Sequence, residues 1–231
     1  MDKKRRWFGR RVGKKLSLRR KALIMTLLPK IKINKDALIT CKSVKTFKPF
    51  VSRDTWLEIG FGGGEYIAGQ AIRHPEINFI GCEPFINGVA SLLSKIEENQ
   101  LKNIFIYDDD AITLLDLLPE RSIGRIFCLF SDPWPKKRHQ KRRFIGKKNL
   151  NRVSRILKDG GEFNFATDHV AYAYWTLEHF QRQKDFERVQ ETFGDWLDPP
   201  QDWISTRYEL KARSNGQDPV FLQYKRRFRD S

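Results

Sequence analysis

From about residue 55 the chain alternates short apolar runs with stretches of helical periodicity, and this alternation constrains the fold more than any other feature of the sequence. Apolar runs too short for helices, each bounded by Gly, Asp or Pro, predict strands over residues 56–59, 79–82, 104–107, 126–130 and 163–166. Between them, Ile86, Val89, Ala90, Leu93 and Ile96 share one face at helical spacing within 85–98. Leu150, Val153 and Leu157 do the same within 145–157, and 111–118 and 169–181 also read as helices. A last strand over 221–227 is expected to return to the sheet edge. The pattern predicts an α/β fold: a mostly parallel central sheet flanked by helices, in one globular unit. The 40% hydrophobic and 13% aromatic content supplies enough apolar surface to bury such a core.

Lys and Arg number 44 against 28 Asp and Glu, a net +16 that attracts polyanions, with nucleic acid the foremost partner class. Eleven of these cations fall within residues 1–28 against one acid. A block so basic repels itself until something anionic orders it, so it is expected to be a mobile RNA-binding arm. The division is therefore an arm over 1–40 and a catalytic domain over 41–231. Membrane-surface attachment through 22–28 is the weaker reading, because the apolar face is brief. No apolar run approaches a spanning length and the basic start lacks a signal-peptide core. Cys41, Cys82 and Cys128 are odd in number and unpaired in spacing, which suits a reducing cytoplasm and argues against zinc. His74, His139, His169 and His179 lack metal-ligand spacing, so no metal is expected.

The stretch Leu57-Glu58-Ile59-Gly60-Phe61-Gly62-Gly63-Gly64-Glu65 ends the first strand and opens a helix, where sheets of this kind bind ligands. Glycine turns serve purely structural ends as well. Here Glu83 ends the next strand 23 positions after Gly60, the spacing of a ribose-binding acid. A carboxylate at Glu58 would repel a pyrophosphate and tolerate a sulfonium, which favours S-adenosylmethionine over a dinucleotide. Asp108, Asp109 and Asp110 close the third strand; Asp110 is the choice for the adenine amine, against the reading of a helix N-cap.

After the fourth strand comes Ser131-Asp132-Pro133-Trp134-Pro135-Lys136-Lys137-Arg138-His139-Gln140-Lys141-Arg142-Arg143. Two prolines stiffen a loop that carries an acid and an aromatic. Acid, aromatic and cations together suit a nucleobase withdrawn from its stack, with the basic residues on flanking phosphates. Trp134 could stack on a base or simply pack, and the cations could be a solvated face. Asp168, which could instead cap the next helix, and Thr206-Arg207-Tyr208-Glu209 could line the substrate side.

Taken together, F-G-R-R-x-G-K-K, L-E-I-G-F-G-G-G-E, G-C-E-P, D-D-A, S-D-P-W-P-K-K-R-H-Q-K-R-R, A-T-D and T-R-Y-E-x-K-A resemble the tRNA (guanine-N7)-methyltransferase family over almost the whole chain. The resemblance implies a Rossmann-like methyltransferase fold and methyl transfer from S-adenosylmethionine, leaving S-adenosylhomocysteine, to N7 of a guanine in the tRNA variable loop. By motif it places Glu58, Gly60, Gly62, Glu83, Asp110 and Asp132 at the cofactor, with Asp132 also catalytic. Lys136, Asp168, Thr206, Arg207, Tyr208 and Glu209 would bind substrate, and Arg138, His139, Gln140, Lys141, Arg142 and Arg143 would contact RNA. Bacterial members often need no protein partner. Ser131 stands where a proline is expected and Gln140 where a second histidine is common.

Guanine N7 has an in-plane lone pair and no proton, so its methylation needs positioning and no general base. Asp132 is suited to accept from guanine N1–H and N2–H2, a pair that adenine lacks. An acid-Pro-aromatic loop also resembles that of amino-methyltransferases acting on other bases, although their order is Pro-Pro-aromatic. A non-catalytic RNA-binding module is the reading from another class, and the intact carboxylate set argues against it.

Overall fold

The computed structural model describes residues 9, 11–40, 53–190, 192 and 194–230; residues 1–8 and 10 of the expected arm, Cys41 and the boundary expected at 40/41 lie outside them. Seven strands form one sheet in the order β3-β2-β1-β4-β5-β7-β6. They are β1 (Thr55–Ile59), β2 (Asn78–Cys82), β3 (Ile104–Tyr107), β4 (Ile123–Leu129), β5 (Leu157–Thr167), β6 (Phe186–Arg188) and β7 (Val220–Arg226). β1 to β5 pair in parallel, while β7 runs antiparallel between β5 and β6.

Every residue of β1 and β2 is buried, as expected for parallel strands covered on both faces. On one face α1 (Leu18–Thr26), α2 (Leu28–Ile31), α4 (Glu65–Arg73) and α5 (Ile86–Glu98) pack through Leu23, Leu28, Ile67, Val89, Leu92 and Leu93. On the other lie α3 (Lys35–Thr40), α6 (Ala111–Leu117), α7 (Lys147–Ile156) and α8 (Val170–Gln181), with Leu114, Leu150, Val153, Tyr172 and Phe180 in the core. A ninth helix, α9 (Arg207–Ser214), precedes β7. Leu92 and Leu93 of α5 are fully buried, each a burial of roughly 1.5–3 kcal/mol.

Three expectations differ from the structure. The last strand does not occupy the sheet edge; that place belongs to β6, whose three residues include one buried one and carry too little periodicity to read. α9 was not legible, because its exposed Arg207, Tyr208 and Leu210 leave little apolar stripe. The basic segment is folded from Ser17 onward. Leu23 and Leu28 are buried in the apolar cluster that includes Val89, Leu92 and Leu93 of α5, Arg19 pairs with Glu97 at 2.7 Å, and Ile33 N–H donates to the Ile106 carbonyl at 2.8 Å. Two buried leucines and acids on α5 thus offset the self-repulsion that made a mobile arm the expectation. No helix among the described residues is long and apolar enough to cross a membrane.

Candidate active site

The strand order reverses between β1 and β4, so the carboxyl ends of these neighbours flank the crevice where open α/β sheets bind ligands. A cavity of about 580 Å³ lies there, walled by Gly60, Cys82, Pro84, Asp110, Asp132 and Trp134 among others. Its volume is that of a small-molecule site.

On the β1 side, backbone geometry builds the wall. Gly60, Gly62 and Gly64 have φ of 74°, 53° and 73°, and a Cβ at Gly62 would come within 3.0 Å of the Tyr208 ring. Glu83 holds this turn: one carboxylate oxygen accepts from Gly62 N–H and the other from Phe85 N–H, both at 2.9 Å. Burial lifts its carboxyl above the usual range, these two bonds oppose the shift, and Asp132 adds to it. Each oxygen keeps a second lone pair for a ribose hydroxyl.

Asp110 is the helix cap and also stands at the cavity. It caps α6, accepting from Ile112 N–H at 3.2 Å, and it lines the cavity. Of its neighbours, Asp108 pairs with Lys32 at 2.8 Å, and Asp109, which lines the cavity too, pairs with Arg11 at 2.6 Å. Arg11 also lines the cavity, and its carbonyl accepts from Ile86 N–H at 2.9 Å, so the N-terminal segment closes one wall.

Glu58 sits beside the cavity without entering its wall. Strand alternation turns it, like Trp56, toward the α4 face, where it is buried with Oε2 unpartnered. Burial, then the charges of Glu65 and Glu83, push its carboxyl up to about 8. Burial thus weakens the argument that Glu58 repels phosphate as a fixed anion, because it favours the protonated carboxyl.

On the β4 side the wall is a strained loop. Phe130 and Trp134 adopt φ of 50° and 41°, a region bulky side chains occupy only when the surroundings hold them there. Asp132 stands exposed between them at the cavity, its carboxyl raised by partial loss of water. Arg142 lies over the Trp134 ring at 4.9 Å and His139 meets it edge-on at 5.9 Å, so both brace the aromatic. Loss of water, then the cations around it led by Arg142, lower the pKa of His139.

The basic stretch divides by burial. Lys136, Arg138 and Lys141 are exposed, while His139, Gln140 and Arg142 are half-buried. Arg143 is 5% exposed, borders the cavity and donates from Nε to the Pro133 carbonyl at 2.7 Å, so unlike its exposed neighbours it is packed against the loop.

The Thr206–Glu209 segment reaches the site through its middle. Arg207 pairs with Glu65 at the first turn of α4, and Tyr208 covers Gly62. Thr206 caps α9, accepting from Glu209 N–H at 3.1 Å. The Glu209 carboxylate is buried and accepts from Trp203 Nε1 at 2.6 Å and Arg213 Nε at 3.0 Å, so it also braces the segment. Asp168 follows the carboxyl end of β5, and the capping residue of α8 is His169, so Asp168 is not that cap. Sequence reasoning missed Glu65, marked by its place directly after the glycines, and Tyr172, marked by an aromatic pair with Trp175 on α8. Among the described residues no cluster of His, Cys, Asp or Glu could hold a metal.

A Rossmann-type sheet with a glycine turn, an acid directly after β2 and a carboxylate-lined cavity at its switch point is a nucleoside-cofactor site, and the comparisons that follow make the class an S-adenosylmethionine-dependent methyltransferase. Residues 52–222 match the family model described as "Putative methyltransferase". The fold is shared with the 16S rRNA methyltransferase KamB (TM-score 0.57, 15% identity, 76% of this chain and 88% of that one). It is shared also with an rRNA methylase from Streptococcus thermophilus (TM-score 0.52, 10% identity, 77% and 89%). Similarity in sequence narrows the class. The chain is 47% identical to the tRNA (guanine-N(7)-)-methyltransferase of Agrobacterium fabrum over 96% of its length and 95% of the relative's. It is 41% identical to that of Zymomonas mobilis over 96% and 94%. The chain belongs to the tRNA (guanine-N7)-methyltransferase family.

Proposed function

We propose that the chain transfers the methyl group of S-adenosylmethionine to N7 of the guanine at position 46 in the tRNA variable loop. The observation that carries this reading is Asp132 on its strained loop at the cavity, next to the exposed cations Lys136, Arg138 and Lys141.

The cofactor supplies an electrophilic methyl on a sulfonium centre. Glu83 receives a ribose hydroxyl on its free lone pairs and keeps the glycine turn in place, and Asp110 accepts from the adenine amine. Asp132 accepts from guanine N1–H and N2–H2, which orients the in-plane N7 lone pair and leaves adenine unmatched. Because N7 bears no proton, no residue has to remove one, and the rate rests on alignment. The alkylated base is cationic, and the Asp132 carboxylate stabilises that charge as it develops. Lys136, Arg138 and Lys141 hold phosphates, Asp168 and the Arg207-Tyr208 pair border the base, and the basic N-terminal segment within 1–40 adds cations for the RNA backbone. The chain acts in the cytoplasm and without an obligate protein partner.

A tRNA transcript carrying 7-deazaguanine only at position 46 tests the reading. It is expected to bind and to accept no methyl group, and methylation at the normal level would overturn the assignment of the atom.

A further inference from the structure

The loop that presents Asp132 is gripped by one face of α8. The Tyr172 hydroxyl, fully buried, accepts from Ile145 N–H at 3.3 Å and lies 3.4 Å from Ser131 Oγ, so one oxygen joins both ends of the segment from 131 to 145. Trp175 Nε1 donates to the Ile145 carbonyl at 2.8 Å. Between these ends, Arg143 donates from Nε to the Pro133 carbonyl at 2.7 Å, and its guanidinium lies 5.1 Å over the Tyr172 ring and 4.9 Å over the Trp175 ring. Its Nη2 is buried without a hydrogen-bond partner.

Such an arrangement differs from a phosphate contact. An arginine kept for RNA leaves its donors in solvent, as Arg138 does. Arg143 gives up that hydration, takes ring faces in exchange and spends its Nε proton on a backbone carbonyl between Asp132 and Trp134. Phe130 and Trp134, the two left-handed residues on either side of Asp132, need such an external hold to persist.

We propose that Arg143 and Tyr172 are positioning residues for methyl transfer, locking the Pro133 carbonyl and Ser131 so that Asp132 meets guanine at one height. The proposal rests on Asp132 as the residue that orients the base. Neither positioning group binds tRNA. A displacement of the loop by about 1 Å would misalign N7 with the methyl group and cost on the order of 100-fold in rate.

Steady-state kinetics and filter binding with unmodified tRNA test this on Arg143→Lys and Tyr172→Phe. Lysine keeps the charge but lacks the planar fork and its Nε donor, whereas phenylalanine keeps the ring and loses only the hydroxyl. Each variant is expected to lose roughly 10–100-fold in kcat. KM for tRNA and the dependence of tRNA affinity on salt are expected to stay unchanged. If Arg143→Lys does not fold, Tyr172→Phe carries the test alone. Wild-type kcat in Tyr172→Phe overturns the proposal. So does a loss confined to tRNA affinity with a smaller salt slope in an Arg143→Gln variant, because each lost phosphate contact lowers that slope by about 0.7–0.9.

Asp132→Asn separates this proposal from the reading beneath it. Full activity of Asp132→Asn alone would remove Asp132 from the reaction. When Asp132→Asn is impaired, adding Tyr172→Phe is expected to cost much less than it does in the wild-type chain, since both act through one carboxylate. A fully multiplicative loss would show that Tyr172 acts elsewhere and would overturn the proposal.

Discussion

The two walls of the active site are held by opposite means. At β1, a turn of positive-φ glycines brings Gly60 to the cavity and an acid, Glu83, secures the turn by accepting from Gly62 N–H and Phe85 N–H. At β4, bulky residues take positive φ, and cations secure them: Arg142 on the Trp134 ring and Arg143 on the Pro133 carbonyl. The first wall is unstrained because glycine has no Cβ to clash. The second stores strain, and about 1–3 kcal/mol for each such residue must come from packing around it. The contrast follows the tasks of the two walls. A cofactor is bound by a surface that must only fit, whereas a base drawn from tRNA must be met by a carboxylate at one place. It also shows that acids and bases near a site are spent on building it before any remain for ligands.

The comparison breaks first at Asp132. Asp132→Ala is expected to lower kcat at least 100- to 1,000-fold, the scale of losing one aligned electrostatic partner, and by more than it weakens S-adenosylmethionine binding in equilibrium dialysis. A variant with normal turnover would make the strained wall irrelevant to chemistry. On the other wall, Gly62→Ala is expected to weaken cofactor binding by about tenfold or more and to destabilise the fold by about 1–2 kcal/mol, because alanine is strained at φ 53° and meets Tyr208. Calorimetry and thermal melts check both effects.

Much of this was legible in the sequence, for reasons tied to particular residues. Leu57 to Gly64 announced a strand, a turn and a helix because glycine alone supplies three positive φ values in five positions. Glu83 could be placed by counting. Arg143 could not be told from Lys141 or Arg142, since its ring partners Tyr172 and Trp175 come from a helix some thirty residues away. Glu58 was read as a charge because strand alternation, which turns it away from the cavity, shows only once the strand's neighbours are known. Glu209 looked functional within T-R-Y-E, and the side chains that engage it, Trp203 and Arg213, are polar contacts without periodicity.

Two smaller effects sharpen the comparison. Arg138→Ala with Lys141→Ala removes two exposed cations, so tRNA binding is expected to weaken and its salt slope to fall by about 0.7–0.9 per lost contact, with kcat at saturating tRNA nearly unchanged. Glu58 also ties stability to pH. Its carboxyl rises from 4.5 to about 8 on folding, so between these values the native state holds a proton that the unfolded chain releases. Its protonated form favours the fold fully below pH 4.5, and that advantage is lost as pH rises through 8. Thermal melts at pH 6 and pH 9 are expected to show a smaller loss on raising pH in Glu58→Gln than in the parent chain.

The central claim is tested most directly by incubating the protein with unmodified tRNA and methyl-labelled S-adenosylmethionine, then digesting the tRNA and separating its nucleosides. All label is predicted to appear in 7-methylguanosine; label in a nucleoside methylated on an exocyclic amine, or in none, would contradict it.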